Sequence, residues 1–183
     1  MKAFRMEDGS VYHERQRLQF CLLHALNNLL QKEDSFSRAE LDSIAEKLDH
    51  DDPDKGRWTP LSVIFKTHHN KLTGNYDVNV LISALETRNK KVVWHDHRNS
   101  SASINLSSAT LLGILLNIPV RRFAGLWRGR HWVSIRCIDG IWYNLDSDLS
   151  SPKPFRNLDE LTGFLDQAMG QGGEVLVIFH DKL

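Results

Sequence analysis

HWVSIRCIDGIWYNLD, residues 131–146, is the stretch that decides how this chain folds. Two runs rich in β-branched and aromatic residues, 132–138 and 141–146, flank Asp139-Gly140. Asp-Gly between such runs is the strongest short-range sign of a β-hairpin, because both turn residues must accept positive φ. A two-residue turn sets the register: Ile138 faces Ile141, and counting outward puts Val133 opposite Asp146. Side chains alternate between faces, so 131, 133, 135 and 137 share one with 142, 144 and 146. His131 is then diagonal to Asp146, roughly 7–8 Å away at the backbone, and a side-chain hydrogen bond is within reach. Histidine held by a carboxylate is the orienting half of a catalytic triad, and its nucleophile must come from elsewhere in the chain. Asn144, on the same face, is a second residue able to orient the imidazole.

The nucleophile is sought more than a hundred residues upstream, in YHERQRLQFCLLHALNNLL, residues 12–30. After Cys21, the apolar residues Leu22, Ala25, Leu26, Leu29 and Leu30 fall at helical spacing. Cys21 therefore opens a helix, where free backbone N–H groups and the helix dipole favour a thiolate. A buried core cysteine fits the same stretch, and on this stretch alone both readings stand. The order cysteine, histidine, then aspartate matches that of papain-like thiol proteases.

Composition bounds the rest. At 183 residues the chain is long enough for one domain with a substantial core. Lys plus Arg equals Asp plus Glu, 23 of each, which argues against a general nucleic-acid binder. Two cysteines make neither a disulfide framework nor a Cys-rich zinc site, and they suit a reducing, intracellular compartment, cytoplasmic or nuclear. The first ten residues carry charges throughout and show no signal-peptide pattern, and the apolar run near 111–116 is too short to span a bilayer.

Along the chain, residues 1–11 read as a poorly ordered lead-in and 12–183 as one domain. Ser37 and Glu40 form a capping box, with Phe36 and Leu41 as its hydrophobic staple, so the pattern predicts a helix over 38–48. Thr59-Pro60 predicts a short helix reaching about residue 69. Asp77 or Asn75 caps a helix carrying Val78, Leu81, Ile82 and Leu85. Residues 92–94 suggest a strand. Ser107 or Ser108 is expected to cap a helix through Leu116, which Pro119 limits. Leu158, Leu161, Leu165 and Ala168 predict a helix with Gly170 as its C-cap, and 174–179 a buried strand. Helices mostly precede strands, which is the α+β pattern. Cys137, mid-strand between apolar neighbours, reads as core. His68-His69 and His95-Asp96-His97 lack the spacing of a metal site, so no metal is expected.

Several motifs together resemble the Josephin family: H-E-R-Q at 13–16, Cys21, H-A-L-N-N-L-L at 24–30, G-N-Y-D-V-N-V at 74–80, H-W-V at 131–133 and W-Y-N-L-D-S at 142–147. They stand in the family's order over nearly the whole chain, as in its short, stand-alone members. The resemblance implies a papain-like α+β fold, a helical subdomain packed against an antiparallel sheet, and cysteine-type deubiquitinase activity without a cofactor. It implies Cys21 as nucleophile, His131 as general base, Asp146 as its orienting partner and Gln16 in the oxyanion hole. Val78 and Asn79, with Tyr76 adjacent, match the ubiquitin surface beside the cleft. Tyr76 and Asn79 are by type free to face a partner, and Trp132 either walls the channel or joins the core. Residues 51–74 match a helical arm that gates the cleft. The implied partners are ubiquitin and ubiquitin conjugates, bound by a monomer. The competing reading is a ubiquitin-binding module with little activity.

Overall fold

In a computed structural model of the chain, residues 4–5, 11–16, 20–51, 69–70, 75–122 and 127–181 are described. The hairpin forms as its turn chemistry demands. Asp139 and Gly140 take φ of 50° and 81°. Strands β7 (Trp127–Ile138) and β8 (Ile141–Asn144) pair Ile138 with Ile141 and Ile135 with Asn144. The ladder stops there, and the Leu145 N–H still donates to the Ser134 carbonyl at 2.9 Å, so Asp146 begins just past the strand in the expected register.

Around the hairpin lies a six-stranded, wholly antiparallel sheet in the order β5-β10-β6-β7-β8-β9. Its remaining strands are β5 (Lys90–Trp94), β6 (Leu111–Arg122), β9 (Lys153–Pro154) and β10 (Glu174–His180). Alternation along these strands feeds two cores. Leu115, Leu176, Ile178 and Trp132 join the apolar faces of α1 (Cys21–Leu30), α2 (Arg38–Asp51) and α3 (Val78–Glu86). Ile114, Leu116, Val133, Ile135 and Val175 pack with Leu161, Leu165 and Ala168 of α4 (Leu158–Gly170). The α+β expectation holds, with three helices contributing to one core and α4 to the other.

The helix starts follow their capping signals. Ser37 Oγ accepts from Glu40 N–H and Glu40 Oε2 accepts from Ser37 N–H, both at 3.2 Å, while Phe36 and Leu41 are buried. Asp77 accepts from the N–H groups of Asn79 and Val80 at the start of α3. Gly113 of β6 sits where α1 presses on the sheet. A Cβ there would meet the Ile135 carbonyl oxygen at 2.6 Å and Leu29 Cδ1 at 2.7 Å.

Three expectations fail. The helix expected before Leu116 is strand β6, because LLGILL is buried on both faces and so lacks the alternation that marks a half-exposed strand. Pro119 lies in that strand, beyond Asn117 where β10 stops pairing; an open strand edge tolerates a residue without an N–H. Gly170 is the last residue of α4, not its cap, and the left-handed turn falls at Gly172 with φ 84°. Two short strand pairs lie outside the main sheet: β1 (Phe4–Arg5) pairs antiparallel with β2 (Tyr12–His13), and β3 (His69–Asn70) with β4 (Asn75–Tyr76). Cys137 is exposed, not core. The helix expected up to residue 69 and most of the 51–74 arm lie outside the described residues.

Candidate active site

Cys21 is the first residue of α1 and only 5% exposed. Phe20 precedes it without a side-chain cap, so the N–H groups of the first turn are not consumed by a capping side chain. On β7, His131 is 2% exposed. Its Nε2 lies 2.6 Å from Asp146 Oδ1, the hydrogen bond that the hairpin register allowed. Its Nδ1 is buried and completes no hydrogen bond of ordinary geometry. Burial pulls the imidazole pKa down, but the hydrogen bonds and charges of Asp146 and Cys21 outweigh it and push it up to about 10. Cys21 is thus close enough to act on the ring, with Nδ1 as the nitrogen left for it. A histidine that stays protonated through neutral pH beside a sulfur is suited to hold a thiolate and later to release a proton.

Asp146 is itself held from three sides. Its Oδ1 also accepts from Asp148 N–H at 2.9 Å. Its own N–H donates to Asn144 Oδ1 at 2.9 Å, so Asn144 orients the aspartate's backbone and not the imidazole. Its carbonyl pairs with His13 Nε2 at 2.9 Å.

Behind the nucleophile is a polar network that sequence reasoning missed. Glu14 is buried, and Oε2 meets His24 Nδ1 at 2.7 Å. Tyr12 Oη donates to Glu14 Oε1, and Asn27 Nδ2 lies 3.2 and 3.3 Å from its two oxygens. Burial raises the Glu14 pKa, yet the hydrogen bonds from His24 and Tyr12, with the charge on His24 and the bond from Asn27, win and hold it below the usual carboxylate value. Asn28 accepts from Glu14 N–H at 2.6 Å and donates to the carbonyls of Glu14 and Leu145. One asparagine therefore ties the segment leading to Gln16, the helix bearing Cys21 and the hairpin end bearing Asp146. The motif letters H-E-R-Q and L-N-N-L-L held most of this network, and only the polarity of Asn27 and Asn28 on an otherwise apolar helix hinted at it.

Gln16 reaches the site from another direction. Its N–H donates to the Ser147 carbonyl at 2.9 Å, and its side-chain Nε2 donates to Asp148 Oδ1. Asp148 Oδ2 also lies 3.7 Å from His131 Nε2. His131, Asp146 and Asp148 are the one group of three with metal-ligand chemistry among the described residues. Here His131 and Asp146 meet at direct hydrogen-bonding distance, as the orienting pair of a triad does.

A cavity of about 390 Å³ is lined by Tyr76, Asp77, Val78, Asn117, Arg130, Trp132 and Glu174; it takes in the two neighbours of His131 on β7, while Cys21, His131, Asp146 and Gln16 are not among its lining residues. Tyr76 corrects its expectation: it is 4% exposed and its phenol donates to Asp42 Oδ1 at 2.7 Å, so it is a wall of the cleft and part of the core, not a side chain free to dock. Trp132 is 3% exposed, with its indole N–H 3.3 Å from the Tyr76 carbonyl. Val78 is half-buried and Asn79 exposed at the start of α3. Arg130 and Asn117, which sequence reasoning left unassigned, also line it; the Arg130 guanidinium donates to the Asn117 side-chain and backbone oxygens at 2.6 and 2.7 Å.

Among known proteins, the Josephin family model matches residues 16–179. A Josephin-like protein of Arabidopsis thaliana is 62% identical over 161 residues, covering 87% of this chain and 45% of the relative. Josephin-2 of Mus musculus is 43% identical over 180 residues, covering 95% of this chain and 88% of its own length. Human ataxin-3 is 30% identical over 174 residues, covering 94% of this chain and 46% of its own length. The chain thus spans less than half of the Arabidopsis relative and most of Josephin-2.

Proposed function

Since the chain belongs to the Josephin family, we propose that it is a thiol hydrolase that cleaves isopeptide bonds at the C-terminal glycine of ubiquitin. The observation that carries this reading is the imidazole of His131, fixed through Nε2 by Asp146 and left with Nδ1 beside Cys21 at a helix start.

The sulfur of Cys21 attacks the glycine carbonyl carbon and its lone pair forms the C–S bond. Negative charge develops on the carbonyl oxygen, where backbone N–H groups at the start of α1 and the Gln16 amide supply hydrogen bonds. As the C–N bond breaks, His131 gives its proton to the departing lysine amine, which leaves neutral. Water then enters with His131 as base, the C–S bond breaks, and the ubiquitin carboxylate leaves. Asp146 keeps the imidazole in the tautomer and orientation that both proton transfers need. None of these steps calls for a cofactor.

In this reading the ubiquitin tail enters along the cavity lined by Tyr76, Val78 and Trp132, the residue that follows His131 on β7. Trp132 and Tyr76 give it rigid apolar walls, and Val78 and Asn79 lie at the rim where the folded part of ubiquitin docks. Two free cysteines support residence in a reducing compartment, the cytoplasm or nucleus. Among the described residues, no helix is long and apolar enough to cross a membrane.

Reaction with a ubiquitin whose C-terminus carries an electrophile tests the reading. The expected result is a covalent adduct mapped to Cys21, with a matched probe on another ubiquitin-like protein reacting more slowly. Tight ubiquitin binding with no adduct would favour the binding-module reading instead.

A further inference from the structure

One charged group at the site has no role in the chemistry above. Asp148 lies two residues past Asp146, with its side chain about half exposed. Three contacts converge on it. Its N–H donates to the Asp146 oxygen that also accepts from His131. Its Oδ2 faces His131 Nε2 at 3.7 Å. Its Oδ1 accepts from the Gln16 side chain, and the neighbouring Ser147 carbonyl holds the Gln16 backbone.

The third contact matters because a glutamine amide is almost symmetric in shape. Its NH₂ end can stabilise an oxyanion and its C=O end can only repel one. An ionised carboxylate accepts and never donates, so a carboxylate beside the amide selects which end points where. The NH₂ group carries two hydrogens; one is spent on the carboxylate and the second stays available. At the other end, Gln16 Oε1 is buried and finds no hydrogen-bond partner, so nothing there sets the orientation instead.

We propose that Asp148 is a positioning residue, whose carboxylate holds the Gln16 amide in the orientation that presents an N–H to the carbonyl oxygen attacked by Cys21. This rests on the thiol-hydrolase reading. The role proposed for the Asp148 carboxylate runs through Gln16, separately from its contacts with Asp146 and His131.

The test compares Asp148→Ala and Asp148→Asn, alone and combined with Gln16→Ala, in hydrolysis of a fluorogenic amide at the C-terminus of ubiquitin. Asp148→Ala is expected to lower kcat by roughly 10- to 100-fold, the range for losing a hydrogen bond to a charged group, with KM little changed. Asp148→Asn recovers part of the loss, because its carbonyl can accept from the same NH₂. Added to Gln16→Ala, Asp148→Ala costs nothing further, since the group it works through is gone. Alkylation of Cys21 by iodoacetamide needs no oxyanion donor and keeps its wild-type rate in Asp148→Ala. Additive losses in the double variant, or alkylation falling in step with hydrolysis, overturn the proposal. A second measurement does not depend on turnover. The Gln16 side-chain NH₂ resonances, identified by their loss in Gln16→Ala, should shift as a carboxylate titrates in the wild type but not in Asp148→Asn. Resonances indifferent to pH in that range overturn the contact itself. A wild type that shows the contact but never hydrolyses ubiquitin overturns the parent reading, and the positioning role falls with it.

Discussion

Among the described residues, two carboxylate–histidine pairs sit at hydrogen-bonding distance with nearly the same length, and they do different things. Glu14 and His24 meet at 2.7 Å, Asp146 and His131 at 2.6 Å. Around Glu14 every lone-pair direction is used, by Tyr12, His24 and Asn27, and the pair is sealed between β2 and α1. Around His131 one ring nitrogen completes no hydrogen bond of ordinary geometry, and Cys21 is close enough to act on the ring. A fully partnered buried pair gains nothing by moving a proton, and it locks the segments that meet there. A pair left short by one bond has a proton to offer. The difference between scaffold and chemistry here lies in satisfaction, not in residue type.

Breaking the open pair should show in activity alone. Cys21→Ala is expected to abolish hydrolysis while ubiquitin affinity, read by titration calorimetry, is retained; His131→Ala should be as severe. Substantial residual turnover in Cys21→Ala would falsify the assignment of the nucleophile. Breaking the closed pair should show in stability instead. Glu14→Ala takes a buried hydrogen-bond partner from His24 and Tyr12 and should cost about 3–5 kcal/mol, the usual loss when one partner of a buried pair is removed. Urea denaturation measures it. Because the Glu14 pKa is held below its ordinary value in the fold, its contribution is present above the ordinary carboxylate pKa and fades as pH falls through the depressed one. The acid side of the stability curve should therefore flatten in Glu14→Gln. An unchanged urea midpoint would remove the contrast between the pairs.

A finer probe is the pH dependence of kcat/KM. With its pKa raised to about 10, His131 keeps its proton through neutral pH, and the rate should fall only as pH rises through that value. Asp146→Ala removes the largest influence raising that pKa, so the alkaline limb should move to lower pH. A limb that stays in place would mean that Asp146 is not what sustains the imidazolium. The smallest effect belongs to the second cysteine. Cys137 is exposed, so Cys137→Ser should change stability by no more than about 0.5 kcal/mol, the scale of ordinary surface substitutions. Turnover should be untouched.

How much of this was legible in the sequence depended on how local the cause was. The hairpin could be read to the residue because a two-residue turn carries its own register, and His131 with Asp146 came with it. The starts of α2 and α3 were legible because Ser37, Glu40 and Asp77 satisfy N–H groups within three residues of themselves. Strand β6 was misread as a helix because burial on both faces erases the period that separates the two. Cys137 was misplaced because alternation names a face but not how far its cover extends. Tyr76 was misjudged because the partner that buries its hydroxyl, Asp42, lies 34 residues away. Asp148 carried no signal at all: its contact with Gln16 spans 132 residues and exists only once the turn after β8 folds against the segment after β2.

Gly113 gives the site a spacing rule. The two atoms that a side chain there would strike belong to different halves of the catalytic apparatus. Leu29 is in the helix that begins with Cys21, and Ile135 is in the strand that carries His131. A single methyl at this position, two turns of helix away from the sulfur, would act as a wedge between the element holding the nucleophile and the element holding its base. Trimming Leu29 would relieve only half of the collision, because the other half is backbone. Position 113 is thus closed to substitution by the geometry of a reaction it takes no part in, and a lineage that lost this glycine would have to rebuild the seat of α1 on the sheet before it could keep the chemistry.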